Sequence, residues 1–418
     1  MDWITHSAAG VFTAWSAPRR WVVPKAVPAA IAGALLPDMD LYIGRLLKPG
    51  SAFEHRAFTH SVSGVAVLAP IIALVPWWLN NKKSYTRLVA FASMGMLSHL
   101  ALDLPTEIGA KIFYPFSRKT IFVDWLGHID FTLLLVSLFV LLAAWTYSKR
   151  EGAVLRGILF TALLASACWW LFAEWPIFAF HRNQKFTLVT LSEQSFHTIY
   201  PLVLGGILLV VFVAFARKGW GFRQNRAVFG RIGLAAFCMY LPICGAAKWG
   251  VLSQIKHFTE ERRIVVLARA TARADAFSFV APLRWNAAVL ALEGVYDGEI
   301  TPFSRQKPVL RFYPTATENP FVAKSRTLPL VQDFLSEARF PVSCYQMEGQ
   351  HHVVEFYDHG GGDVARVVFN EQLEVLAVGW VPITDYTSKA QPSQAALLHN
   401  EAGPNVLLHV PPTPCFGR

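Results

Sequence analysis

The chain has 418 residues, of which 54% are hydrophobic and 16% charged. A soluble domain carries about 25% charged residues, so this composition makes lipid part of the solvent and excludes a disordered chain, a fibrous chain and a disulfide scaffold. The formal charge of +10 is unevenly divided, with 23 Lys and Arg against 11 Asp and Glu in residues 1–252 and 15 against 17 in residues 253–418. The basic excess therefore lies in the apolar part, as cytoplasmic loop charge does, and no nucleic-acid partner is expected. Twelve of the 14 Trp also precede residue 253, as interfacial aromatic belts require.

The start, Met1-Asp2-Trp3-Ile4-Thr5-His6, lacks the basic n-region of a secretory signal, and the N-terminus is expected to be retained. Residues 3–17 are short for a span and suit a re-entrant or interfacial helix. Spans are predicted at about 24–43, 61–79, 86–104, 128–147, 155–178, 200–216 and 229–252, giving seven or eight helices in all. Basic residues before alternate helices (Arg19, Arg20, Lys25; Lys82, Lys83, Arg87; Lys149, Arg150, Arg156; Arg217, Lys218, Arg223, Arg226) put those loops in the cytoplasm. The N-terminus and residues 253–418 then lie outside.

After about residue 255 the texture changes to short β-branched runs: RIVVLARA, WNAAVLALEG, HHVVEFYD and VARVVFN. His359-Gly360-Gly361-Gly362-Asp363 reads as a hairpin loop, LPLVQDFLSEA has helical spacing, and the Pro-rich end is expected to be a loose tail. Cys344 and Cys415 can pair if this part is extracytoplasmic. The expected fold is a polytopic α-helical membrane bundle of seven or eight helices over 1–252, followed by a soluble α+β domain over 253–418.

The informative residues are polar groups at the ends of apolar helices: His6, Asp38 and Asp40, His55 and His60, His99 and Asp103, and Asp130. The topology drawn from loop charge places all of these ends on one side. His99 and Asp103, four apart, share a helix face and suit Zn²⁺, Mn²⁺ or Fe. Asp38 and Asp40 follow a Pro at a helix end, where close carboxylates repel unless a cation or proton lies between them. His55 is expected in a loop and His60 at the start of the next helix, with Arg56 as a clamp for a phosphate or carboxylate. Taken singly, each of these residues also reads as a helix cap or interfacial group. Glu54, Glu107, Asp124 and His128 read equally well as solvated loop residues, and His351, His352 and His359 as hairpin surface.

At these residues the chain resembles the YdjM-like family of bacterial membrane-bound metal-dependent hydrolases. The segments that carry the resemblance are Asp2-Trp3-Ile4-Thr5-His6, Leu36-Pro37-Asp38-Met39-Asp40, His55-Arg56 with Thr59-His60-Ser61, and His99-Leu100-Ala101-Leu102-Asp103 with Thr106. Pro115-Phe116-Ser117 and Ile129-Asp130 complete the set, which covers residues 1–135. The tail is more loosely similar through Pro282-Leu283-Arg284-Trp285-Asn286 and Tyr296-Asp297-Gly298. Where the family pattern has a Pro after the aspartate matching Asp130, this chain has Phe131. The resemblance implies a distant relation to zinc-dependent phospholipases C, which hold a metal cluster among helices with a His-x-x-x-Asp pair. It implies His6, Asp38, His55, His60, His99 and Asp103 as metal ligands.

The function expected from these observations is metal-dependent hydrolysis of an ester or phosphoester at the outer face of a bacterial inner membrane. Membrane lipids, or a lipid-linked phosphoester, would be the partners. Asp38 or Asp40 would bridge metals or act as base, and Arg56 would hold an anionic group. The alternatives are a metal-stabilised scaffold without activity and a transporter, the latter disfavoured because the ionisable residues gather at one rim and not at the midplane.

Overall fold

The computed structural model describes residues 2–43, 55–153 except 128, 155–160, 219–267, 271–274, 285–302, 307–316 except 309, 319–358 and 364–381, with a few isolated positions between 163 and 214. The N-terminal part is built on helices α1 (Trp3–Ser16), α2 (Ala26–Leu35), α3 (Val62–Leu79), α4 (Tyr85–Asp103), α5 (Phe131–Thr146) and α6 (Arg226–Glu261). Four of them open where a side chain supplies the acceptor that the first turn lacks. Asp2 accepts from Thr5 N at 2.8 Å, Ser61 from Gly64 N at 2.9 Å, Asp130 from Leu133 N at 2.9 Å and Asn225 from Ala227 N at 3.0 Å. Helix α2 tightens into a 3-10 turn over Leu36–Met39 and ends in the short helical turn Asp40–Ile43.

Close approach of α1, α2 and α4 depends on small residues. Ala29, Ala30, Ala34 and Ala92 are buried where these helices meet, beside Gly10, Gly33 and Gly95. The outer faces are the reverse of a soluble bundle: Val67, Ile71, Val75 and Trp78 form an exposed apolar stripe along α3. The stretches Ala26–Ile43, Val62–Leu79 and Arg226–Glu261 are long and apolar enough to cross a membrane, and α5 is a shorter apolar helix. Among the described residues these are three candidate spans where seven or eight helices were expected. The spans expected at 155–178 and 200–216 fall almost wholly outside those residues, α5 is too short, and α4, expected to span at 86–104, is long enough but not among the candidates. Tyr240 of α6 meets Asp130 at the start of α5, while Tyr147 just after α5 stacks on Phe229 near the start of α6. These two helices therefore run antiparallel.

Helix α6 runs unbroken through residue 252, where the sequence changes texture. Its Ala247, Val251 and Ile255 enter the core of a four-stranded antiparallel sheet, joining Trp285, Val289 and Ile300. That sheet is a meander of β1 (Thr271–Ala274), β2 (Trp285–Ala291), β3 (Gly294–Ile300) and β4 (Arg311–Pro314). A second meander, β5 (Pro341–Glu348), β6 (His351–Asp358), β7 (Val364–Phe369) and β8 (Val375–Val381), is covered by α7 (Pro320–Ser325) and α8 (Pro329–Glu337). Ala288 and Val295 of the first sheet pack with Val342, Tyr357 and Val364 of the second. The hairpin loop at 359–363 and the Pro-rich tail lie outside the described residues.

Candidate metal centre

Four chain segments converge at one end of the helical part. Helix α1 brings His6, the 3-10 turn after α2 brings Asp38, a second 3-10 turn (Phe58–His60) brings His60, and the last turn of α4 brings His99 and Asp103. The i, i+4 spacing aims both α4 side chains the same way, and Pro105 follows shortly after the helix end. All five residues are buried, with His6, His60, His99 and Asp103 at 0% exposure.

Second partners fix the histidine tautomers. His99 Nδ1 lies 2.7 Å from the Ala34 carbonyl oxygen, which can only accept, so the proton is on Nδ1 and Nε2 presents a lone pair. His60 Nδ1 lies 3.1 Å from Asp40 Oδ2, with the same consequence. Yet the two Nε2 atoms are 3.0 Å apart. Asp38 Oδ1 is 3.4 Å from His60 Nε2 and 3.5 Å from His99 Nε2, while Asp103 Oδ2 is 3.3 Å from each. Lone pairs on two nitrogens and two carboxylates thus face one another in a buried space, which is repulsive unless a cation lies among them. Burial alone would lower the His60 pKa, but the carboxylates of Asp103, Asp38 and Asp40 outweigh it and raise it to about 10. The set holds either a proton or a metal ion.

The spacing fits a metal. Zn–N and Zn–O bonds of about 2.0–2.1 Å in a tetrahedron place neighbouring ligands about 3.3 Å apart. The five ligand-to-ligand distances here run from 3.0 to 3.5 Å. His6 adds a further donor: its ring stacks on His99 with centroids 3.8 Å apart, and Nε2 lies 3.2 Å from Asp103 Oδ1. Both of its ring nitrogens are buried without a hydrogen bond. An orphaned imidazole beside a carboxylate suits the same cation cluster.

Asp40 stands one layer behind. It accepts from Thr59 Oγ1 at 2.5 Å and from Arg56 N at 3.1 Å, meets His60 Nδ1 at 3.1 Å, and lies 2.7 Å from His55 Nδ1. With both oxygens engaged, it holds His60 in position. His55 is the outward member, with 28% of its side chain exposed. It meets Asp40 through Nδ1 and packs edge-on against the His60 ring, centroids 5.4 Å apart, so that Asp40, His55 and His60 form a second group of candidate metal donors. Arg56, held at a positive φ of 63°, also turns inward. Its Nη1 donates to Thr106 Oγ1 and to the Gly109 carbonyl at 2.8 Å each, and its Nη2 lies 3.4 Å from Asp103 Oδ2. Asp130 is buried at the cap of α5 against Tyr240, apart from these contacts.

The structure therefore gathers Asp38, His60, His99 and Asp103 as one group, adds His6 beside Asp103, and sets Asp40, His55 and Arg56 around them. It also enlists Thr59, Ala34 and Gly109, the last two through backbone carbonyls that carry no side-chain signal. Thr59 and Thr106 stand inside the conspicuous segments, but nothing in their residue type marks them as partners of Asp40 and Arg56.

The family profile described as YdjM inner membrane protein matches residues 1–175. Inner membrane protein YdjM of Escherichia coli (strain K12) is 33% identical over 143 residues, which cover 31% of this chain and 71% of that protein. Inner membrane protein YbcI of the same strain is 28% identical over 125 residues, 29% of this chain and 72% of that protein. Uncharacterized protein YfhP of Bacillus subtilis (strain 168) is 24% identical over 126 residues, 30% of this chain and 38% of that protein. No solved structure matches.

Proposed function

This chain belongs to the YdjM family of inner membrane proteins, and from that premise we propose that it is a metal-dependent hydrolase of an ester or phosphoester at the outer face of a bacterial inner membrane. The observation that carries the proposal is the set of opposed lone pairs on Asp38, His60, His99 and Asp103. Zn²⁺ fits the two-imidazole, two-carboxylate set best, with Mn²⁺ or Fe as alternatives. A bound divalent ion would lower the pKa of water toward about 7 and offset charge on the scissile group.

The protein's own residues divide the remaining work. Asp38 is the least enclosed of the four, with 10% of its side chain exposed, so substrate would approach past it. His55, rimmed by solvent, is held through Nδ1 by Asp40, and its Nε2 accepts from Arg56 Nε at 3.4 Å, so the imidazole links Asp40 to Arg56. Arg56, whose Nη2 lies 3.4 Å from Asp103 Oδ2, would help to orient that carboxylate. The outer-face assignment is supported by loop charge and by Cys344, which is disulfide-bonded.

A second reading, a metal that only braces the bundle, is favoured by the complete burial of His6, His60, His99 and Asp103. Purified protein in nanodiscs, assayed against lipid phosphoesters and an aryl phosphodiester, separates the two. Hydrolysis that chelation abolishes, and that Asp38→Asn lowers by at least about a hundredfold, supports the enzyme. A metal-loaded, folded protein that is inactive across this panel supports the brace.

A further inference from the structure

The residues that grip the metal centre are themselves gripped by the C-terminal part of the chain. Arg339, just before β5, lays its guanidinium on Asp124 with both nitrogens, Nη1 to Oδ1 and Nη2 to Oδ2, at 2.8 Å each. The same Nη1 donates to the Glu107 carbonyl at 3.1 Å, and the guanidinium lies over the Phe122 ring, 4.1 Å from its centroid. Asp124 is wholly buried and held in the left-handed region at a φ of 53°. Lys248 of α6 supports it from the other side, donating to the Val123 carbonyl at 2.7 Å and lying 3.3 Å from Asp124 Oδ2.

From Asp124 the connections run straight to a metal-site carboxylate. Trp125 N and Leu126 N donate to the Pro105 carbonyl at 2.7 and 3.0 Å, and Ala110 pairs with Ile121, so residues 121–126 clasp residues 105–110. That second stretch holds Thr106 and Gly109, the two acceptors that fix Arg56 Nη1. Thr106 Oγ1 also donates to the Asp103 carbonyl at 2.6 Å, and Arg56 Nη2 faces Asp103 Oδ2. The family profile ends at residue 175, so this latch ties a residue inside the shared segment to one well beyond it.

We propose that the C-terminal domain is a working part of the metal centre, with Arg339 a positioning residue that sets Asp103 through Asp124 and the paired 105–110 and 121–126 segments. The inference rests on the metal-centre reading but not on hydrolysis. Breaking a buried two-pronged ion pair leaves Asp124 partnered by Lys248 alone, and the paired segments then lose their fixed register. Coupling of this kind needs a measured interaction, not adjacency alone.

The test uses the full chain in nanodiscs loaded with Co²⁺, reading affinity by chelator competition and coordination by the visible ligand-field absorption. Arg339→Ala and Asp124→Ala are each expected to weaken Co²⁺ binding about tenfold, the lower end for an outer-shell partner, and to shift the absorption band. The double variant should add little, because the two residues act as a unit. Lys307→Ala, which removes a solvent-exposed ion pair with Glu261 in the same part of the chain, should change neither readout. A domain that merely docks would alter yield or melting temperature and leave the band where it is. If Arg339→Ala is not recovered, Arg339→Lys keeps the charge and the stem over Phe122 but loses the fork, and a smaller shift in the same direction is expected. Unchanged affinity and spectrum in the recovered Arg339 variant, with Co²⁺ bound by wild type, overturns this inference alone. Failure of wild-type protein to bind Co²⁺ overturns the metal-centre reading and this inference together.

Discussion

Asp40 and Asp38 are two positions apart in sequence and do different work. Asp38 points into the four-donor set, whereas Asp40 gathers His55, His60, Thr59 and the Arg56 amide behind it. Asp40→Asn should therefore keep the shape but loosen His60, lowering metal affinity by about 10- to 100-fold without removing a ligand. Inductively coupled plasma analysis after graded chelation measures this. His99→Ala and Asp103→Ala should each strip the metal outright, and their combination should add little, because ligands of one ion are not independent. Full metal content in His99→Ala would exclude the pairing of His99 with Asp103 on one ion.

At the scale of elements, the site depends on how closely α2 and α4 approach, since these helices carry Asp38, His99 and Asp103. A Cβ on Gly95 would sit 2.0 Å from the Ala30 carbonyl oxygen, and one on Gly33 would sit 2.1 Å from the Ala92 carbonyl oxygen. Neither obstacle is a flexible side chain, so the helices themselves would have to separate. Gly95→Val is expected to cost about 1–3 kcal/mol or more and to reduce metal occupancy, although position 95 supplies no metal donor and lies one turn from His99. Thermal unfolding and metal analysis of the same sample test both halves of the prediction. Unaltered melting and occupancy would mean that the helices can separate without loss.

At the scale of the molecule, the start of α1, the end of α2, the start of α3, the end of α4 and the start of α5 share the end of the bundle from which α6 enters the C-terminal sheets. The proposed orientation, drawn from loop charge, has that end outside the cytoplasm. A reporter active only in the periplasm should therefore work when fused after Arg418, and one active only in the cytoplasm should fail. The reverse pattern would move both the site and the C-terminal domain to the cytoplasmic side.

Sequence by itself determined the elements and most of the site's membership. Apolar length and spacing located α3, α4, α5 and the body of α6, and short β-branched runs located β2, β6 and β7, because such patterns are local. The run at 263–270, however, forms no strand over its described residues 263–267. Paired spacing marked His99 with Asp103, and motif context marked His6, Asp38, Asp40, His55, Arg56 and His60. Tertiary structure alone decided their division of labour. Whether Asp40 meets a cation or the back of His60, and whether Arg56 faces an incoming anion or Asp103, depends on side-chain direction across segments far apart in the chain. The same holds for Arg339 and Asp124, separated by more than two hundred residues and joined only when the sheets close on the helical end. Local pattern carries no information about such a pair. Its partners are chosen by burial, where an unpaired charge is costly and a two-pronged ion pair relieves it.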